Sequence, residues 1–83
     1  MDASELLQLY ANGKRDFGRV NLAGVSLAGA NLAGIDLGKA NLAEANLSGA
    51  NLSRANLREA NLARVNFTQA NLSHSTLLKA NMT

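Results

Sequence analysis

The chain has 83 residues, no cysteine, no proline and a formal net charge of +2. This length bounds it to one domain with a small core, and the missing thiols exclude disulfides and thiolate metal sites. No apolar run approaches the ~18 residues needed to span a bilayer, and the N-terminus lacks the basic and apolar segments of a secretory leader, so a cytoplasmic location without membrane contact is expected.

In chain order, residues 2–12 read as a short helix. Asp2 is placed to cap its first turn, with Glu5 three residues on in the manner of a capping box, and Gly13 is the stop signal. Leu6, Leu9 and Tyr10 fall at helical spacing, and Leu7 broadens the apolar face. About 11 residues of helix are not stable alone, so that face must pack on something. Residues 1–14 are therefore assigned to a capping helix and residues 15–83 to the body of the domain.

From Phe17 onward the chain repeats every five residues. The central apolar position runs through Leu22, Leu27, Leu32 and so on to Leu77 and Met82, giving 14 centres of which 11 are Leu. Two residues before the centre lies an apolar residue in 12 of the 14 units, Ala in 8, with Val20, Val25, Ile35 and Val65 as larger variants. Immediately before the centre stands Asn in 10 units, replaced by Asp16, Ser26, Asp36 and Thr76 in the others. At ~100° per residue a period of five would wind the Leu side chains around a helix, and at period two it would send alternate Leu residues to opposite faces of a strand. Both objections vanish if each unit is a very short extended segment followed by a turn, so that the chain coils around its own apolar axis. Asn, Gly, Ser and Asp suit those turns.

The number of units per coil is tested by charge, because residues one coil apart lie ~4.8 Å from each other. A 20-residue coil places Glu59 between Lys39 and Lys79 and Glu44 beneath Arg64, with Arg19 beside Lys39 as a like-charge neighbour. A 15-residue coil would oppose Lys39 to Arg54, Glu44 to Glu59 and Arg64 to Lys79. Four units per coil are favoured.

The pattern A-N-L-x-x, as in Ala45-Asn46-Leu47-Ser48-Gly49 and Ala50-Asn51-Leu52-Ser53-Arg54, resembles the pentapeptide-repeat family. That resemblance implies an all-β solenoid, a right-handed quadrilateral β-helix, behind the short N-terminal α-helix. The segment from Glu5 to Phe17 is similar to the helical lead-in of cyanobacterial members of the family, some of which regulate heterocyst formation.

Near the end the pattern loosens at Phe67, Ser75-Thr76 and Leu78, and a last coil lined by Phe67, Leu72, Leu77 and Met82, with Leu78 beside it, is expected to carry unpaired backbone and apolar surface. These five residues are the expected edge for weak two-fold self-association.

No catalytic constellation competes with the repeat. His74 has no acidic or thiol neighbour in sequence, and Asp16 and Asp36, one coil apart, occupy the Asn position of the repeat and are read as structural. Ser48, Ser53 and Ser73 have no recognisable base, and no phosphate-binding glycine loop is present. No enzyme activity, metal or cofactor is expected. The basic residues show no obvious stripe along the chain and the aromatics are few, so nucleic-acid binding is not expected. The leading reading is a non-catalytic structural or protein-interaction module with a regulatory use. The alternative that the resemblance suggests is a DNA-mimicking gyrase inhibitor, which the positive charge and short length disfavour.

Overall fold

In a computed structural model covering residues 1–83, helix α1 spans Ala3–Ala11 and everything after Gly13 is a four-sided right-handed β-helix. The Asp2 side chain accepts from the Glu5 amide at 2.8 Å, and Gly13, at φ +102°, turns the chain away from the helix. A residue with a Cβ would be strained at that angle.

The coil closes every 20 residues. Ten isolated parallel bridges, from Asp16–Asp36 to Asn61–Asn81, all join residues i and i+20. Each pairing carries three backbone hydrogen bonds: the Asn41 amide donates to the Val20 carbonyl (2.9 Å), the Leu22 amide to the Asn41 carbonyl (2.7 Å) and the Gly24 amide to the Ala43 carbonyl (2.9 Å). Because an extended segment has only Ala, Asn and Leu to align, the ladder is one residue wide at each bridge. Its stability comes from repetition along the axis.

The corners make that repetition possible. In each unit the amide three residues after the centre donates to the centre's carbonyl, as Ala55 does to Leu52 at 3.0 Å. The residue before it has a positive φ, as a type II turn requires. Gly fills that place at Gly24, Gly29, Gly34 and Gly49, but nine non-glycine residues also adopt φ of 57–65°, from Arg19 to Lys79. Asn is absent from these corners: it occupies the bridge position, where its Oδ1 accepts from the amide two residues on, as Asn51 does from Ser53 at 3.0 Å. Asn thus suits the turn through its side-chain contact and not through a left-handed backbone. Its side chain folds the entry to the turn, an Asx contact that Ala could not make.

Side chains at the Leu and Ala positions point inward together. Leu22 to Leu57 are fully buried at every centre, and Ala40 to Ala60 fill the spaces between them. Ile35 is also fully buried, whereas Val20 and Val25 are partly buried against the same cluster.

The helix closes the lower end of this column. Leu6 belongs to the same core cluster, with Leu9 and Tyr10 packed against it. Leu7, expected to broaden the packed face, is instead 38% exposed and faces solvent. The Tyr10 hydroxyl donates to the Ala33 carbonyl at 2.6 Å. In the next coil the equivalent carbonyl, that of Ser53, accepts from the Gly34 amide, so the Tyr10 hydroxyl replaces the donor that a coil below would supply. Arg15 stacks on the other side of the tyrosine, its guanidinium 3.7 Å from the ring centre, and also donates to the Tyr10 carbonyl at 2.8 Å.

Leu52→Ala should cost ~2–5 kcal/mol of unfolding free energy, since it leaves a cavity in a column whose backbone ladder resists collapse. Arg54→Ala, at an exposed corner, should cost under about 0.5 kcal/mol. Urea titrations followed by circular dichroism compare the two, and equal losses would show the inside and outside assignments to be wrong.

Tyr10→Phe keeps the ring, its packing and the arginine stack but removes the donor to Ala33, so a loss of about 0.5–1.5 kcal/mol is expected in the same titration. An unchanged midpoint would mean that solvent satisfies that carbonyl equally well.

Candidate functional site

One face of the solenoid differs from the other three. Its bridge column is Asp16, Asp36, Asn56 and Thr76. The corner leaving it stacks Arg19, Lys39, Glu59 and Lys79, whose register is fixed by the Arg19 amide on the Gly38 carbonyl, the Lys39 amide on the Arg58 carbonyl and the Glu59 amide on the Leu78 carbonyl. The corner entering it carries Arg54 and, one coil above, His74. Between bridge column and exit corner, Gly18 and Gly38 leave the surface bare. The result is a groove of ≈ 400 Å³ with no hydrophobic residue in its lining.

The groove gathers both signs of charge. Asp16, Asp36 and Glu59 line it together with Arg19, Lys39 and Arg58. The two aspartates are held by the turn: Asp16 Oδ1 accepts from the Gly18 amide at 3.0 Å and Asp36 Oδ1 from the Gly38 amide at 2.9 Å. Asp36 Oδ1 also accepts from Asn56 Nδ2 at 3.0 Å. Asn56 thereby uses both ends of its amide, since its own Oδ1 accepts from the Arg58 amide. The same upward ladder recurs on the next face from Asn41 through Asn61 to Asn81. Asp36 serves at the bottom of its short ladder because only an acceptor is needed there, while Asp16, one coil below, accepts from its turn amide alone.

Ion pairing leaves a surplus of cations. Glu44 and Arg64, at the next corner, meet at 3.4 Å as the charge test anticipated. Glu59 was expected between Lys39 and Lys79 but turns to its chain neighbour Arg58 at 3.8 Å. Arg19, Lys39, Arg54 and Lys79 consequently have no acidic partner. The basic residues are dispersed along the chain, yet the coil brings seven of the eight to the segments 14–19, 34–39, 54–59 and 74–79 of this one face, against three of the six acidic residues. Reading the charges at a spacing of 20 reveals this stripe; reading them in linear order does not.

The other candidates stay apart. His74 is exposed at its corner, and no group of three or more acidic, histidine or cysteine side chains could hold a metal ion. No helix is long and apolar enough to cross a membrane. In the last coil, Phe67, Leu72 and Leu77 are half-buried while Leu78 and Met82 are 52% and 53% exposed.

A buried core that is nearly the same in every coil and an outer surface that changes from coil to coil define this chain as a β-solenoid repeat protein. A family model of pentapeptide repeats, in eight copies, matches residues 21–58 and 50–83. The chain belongs to the pentapeptide repeat family. It is similar in structure to HetL, a pentapeptide repeat protein involved in heterocyst differentiation regulation from the cyanobacterium Nostoc sp. strain PCC 7120, at 36% identity and a TM-score of 0.76 over 100% of this chain and 37% of that one. It is likewise similar to Rfr23 from the cyanobacterium Cyanothece 51142, at 37% identity and a TM-score of 0.76 over 82% of this chain and 47% of that one. The chain thus spans less than half the length of either protein. No curated protein sequence matches it.

The structural assignment of Asp36 is tested by two substitutions. Asp36→Asn retains an acceptor for Gly38 and Asn56 and should leave stability within about 0.5 kcal/mol. Asp36→Ala removes the acceptor of two donors and should cost about 1–3 kcal/mol. Thermal unfolding of both variants checks the order, and equal effects would remove the ladder from the explanation.

Proposed function

We propose that the chain is a non-catalytic protein-interaction module with a regulatory use. The observation that carries this reading is the division of the chain: inward positions are spent on one repeated Leu and Ala column, while the outward corners hold diverse, mostly unpaired charged residues in fixed positions. Chemistry of the acid–base or nucleophilic kind needs convergent groups, and the aspartates of this surface instead accept from turn amides while no base adjoins the serines. The involvement of HetL in heterocyst differentiation regulation supports a regulatory setting, as does the cyanobacterial source of both similar proteins. A cytoplasmic location fits this use.

The DNA-mimic alternative finds no support. A mimic of duplex DNA needs a dense negative surface, whereas the most highly charged face here is basic and the molecule measures 32 Å in its longest dimension. The polypeptide of these 83 residues is further proposed to self-associate weakly through Phe67, Leu72, Leu77, Leu78 and Met82, whose coil also carries free amides at Phe67, Leu72 and Leu77. One coil's cross-section is smaller than the ~800 Å² per partner of a standard interface, which keeps the pairing weak.

Affinity capture from a cyanobacterial extract, followed by binding assays with each purified retained protein, tests the module reading. A retained protein whose binding is lost on reversing the corner charges, in a chain that still folds, is the expected result, and retention of none sinks the reading. In a gyrase supercoiling assay no inhibition is expected at micromolar protein, and inhibition there would put the mimic first. Sedimentation of wild type and Leu77→Lys across a wide concentration range should show a concentration-dependent shift in the wild type alone, and a wild type that stays monomeric throughout would remove the self-association edge.

A further inference from the structure

We infer that the basic face is the docking surface and that its partner is an acidic protein segment; the inference rests on the module reading and names the partner's chemistry. Three observations converge. The face concentrates seven basic residues of the chain against three acidic ones. Four of its cations are free, since Arg19, Lys39, Arg54 and Lys79 form no ion pair, while the single basic residue elsewhere, Arg64, is already opposite Glu44. Arg19 and Lys39 also stand one coil apart at the same corner, adjacent like charges held in register by the backbone. Neighbouring cations on a rigid support repel each other and are relieved by an anionic partner.

The upper part of the face is the most favourable for this partner. Asn56 and Thr76 replace the aspartates of the lower coils there, and Arg54, Arg58 and Lys79 flank them. Glu59 is the one acidic residue at that level, and it faces Arg58. Carboxylates of a partner segment would meet the guanidinium groups of Arg54 and Arg58 from the two sides of the face, in the paired geometry that guanidinium groups favour. Lower down, the bare strip over Gly18 and Gly38 gives the segment room. Arg19 and Lys39 accept further carboxylates, while Asp16 and Asp36 offer acceptors to backbone or side-chain donors of the same segment.

The mixed lining argues for a protein segment over nucleic acid. Duplex DNA carries one negative charge per ~1.7 Å of axis, so a groove with Asp16, Asp36 and Glu59 in its lining would oppose part of any bound phosphate run. Single strands are held by stacking on aromatic side chains, and this face presents none: Phe17 is buried, and Tyr10 is covered by Arg15. A segment with a few spaced carboxylates and free donors can match cations and acceptors together.

The test uses the whole chain and a fluorescein-labelled 12-residue peptide alternating Glu with Ser, read by anisotropy at 50 mM salt. The wild type should bind it at least 10-fold more tightly than a Lys–Ser peptide of the same length. Arg54→Glu combined with Arg58→Glu should weaken binding at least 10-fold, and Lys39→Glu combined with Lys79→Glu should do the same by an independent route. Arg64→Glu should change it less than 2-fold. Circular dichroism establishes that each variant is folded; should one pair fail to fold, the other decides. A 12-nucleotide single strand should bind at least 10-fold more weakly than the Glu–Ser peptide. The inference is overturned if the wild type does not prefer the acidic peptide, if Arg64→Glu weakens binding as much as a folded face variant, or if the oligonucleotide binds as well. A retained protein that binds elsewhere on the solenoid would leave the module reading standing while removing this face from it.

Discussion

The structure depends on one backbone constraint, the corner turn that every fifth residue must complete. Each corner closes a hydrogen bond from the amide after the turn to the carbonyl of the buried centre, and it demands a positive φ just before that amide. Side-chain-bearing residues enter that region at a cost of about 1–2 kcal/mol. Nine of the corners accept it without glycine. In six of them, from Arg19 to Arg64, the ladder over-determines the conformation: the amide of the strained residue is itself a donor to the coil above, as the Arg54 amide is to the Ser73 carbonyl. Strain and ladder are therefore coupled, and a corner is secure only as part of a stack.

That coupling separates two kinds of position. Leu, Ala and Asn are set by packing and by the turn, so they carry little information about a partner. The residue with positive φ projects outward and is free of packing demands, which lets Gly, Arg, Lys, Glu, Gln and His all occupy it. Gly at Gly24, Gly29 and Gly34 makes the first coil smooth on three corners, and charged residues take over higher up. A glycine would relieve the backbone at any of these corners. Where Arg or Lys stands instead, with no acidic partner in the fold, the side chain is retained against a local conformational preference, and such sites are the natural places to look for recognition.

Much of this was legible in the chain. The five-residue period excluded ordinary helix and strand, and Glu44 beneath Arg64 distinguished four sides from three. Asp2 and Gly13 marked both ends of the helix. Three features were hidden for identifiable reasons. Leu7 has helical spacing compatible with the packed face, but the cross-section of one coil is covered by Leu6, Leu9 and Tyr10, leaving no apolar surface for it. Which property of Asn serves the turn was open, because its Asx contact and its tolerance of positive φ are equally strong sequence signals, and only the register of the ladder decides between them. Glu59 chose Arg58 over the residues one coil away because a flexible exposed carboxylate has several cations in reach, and surface pairs differ by less than the ~1 kcal/mol needed to fix one geometry.

The basic face shows why a solenoid conceals its surface from linear inspection. Lys14, Arg19, Lys39, Arg54 and Lys79 are separated by 5 to 25 residues, and no window of ordinary length contains more than a few of them. Folding at a fixed 20-residue register converts that separation into adjacency at two corners of one face. The same register keeps Arg64 away from them and beside Glu44. Position in such a fold is position modulo the coil, so a charge pattern becomes meaningful only after the coil length is known. Here that length follows from the backbone bridges independently of any charge, and the segregation of free cations to one face is then a property of the sequence that the repeat itself does not require.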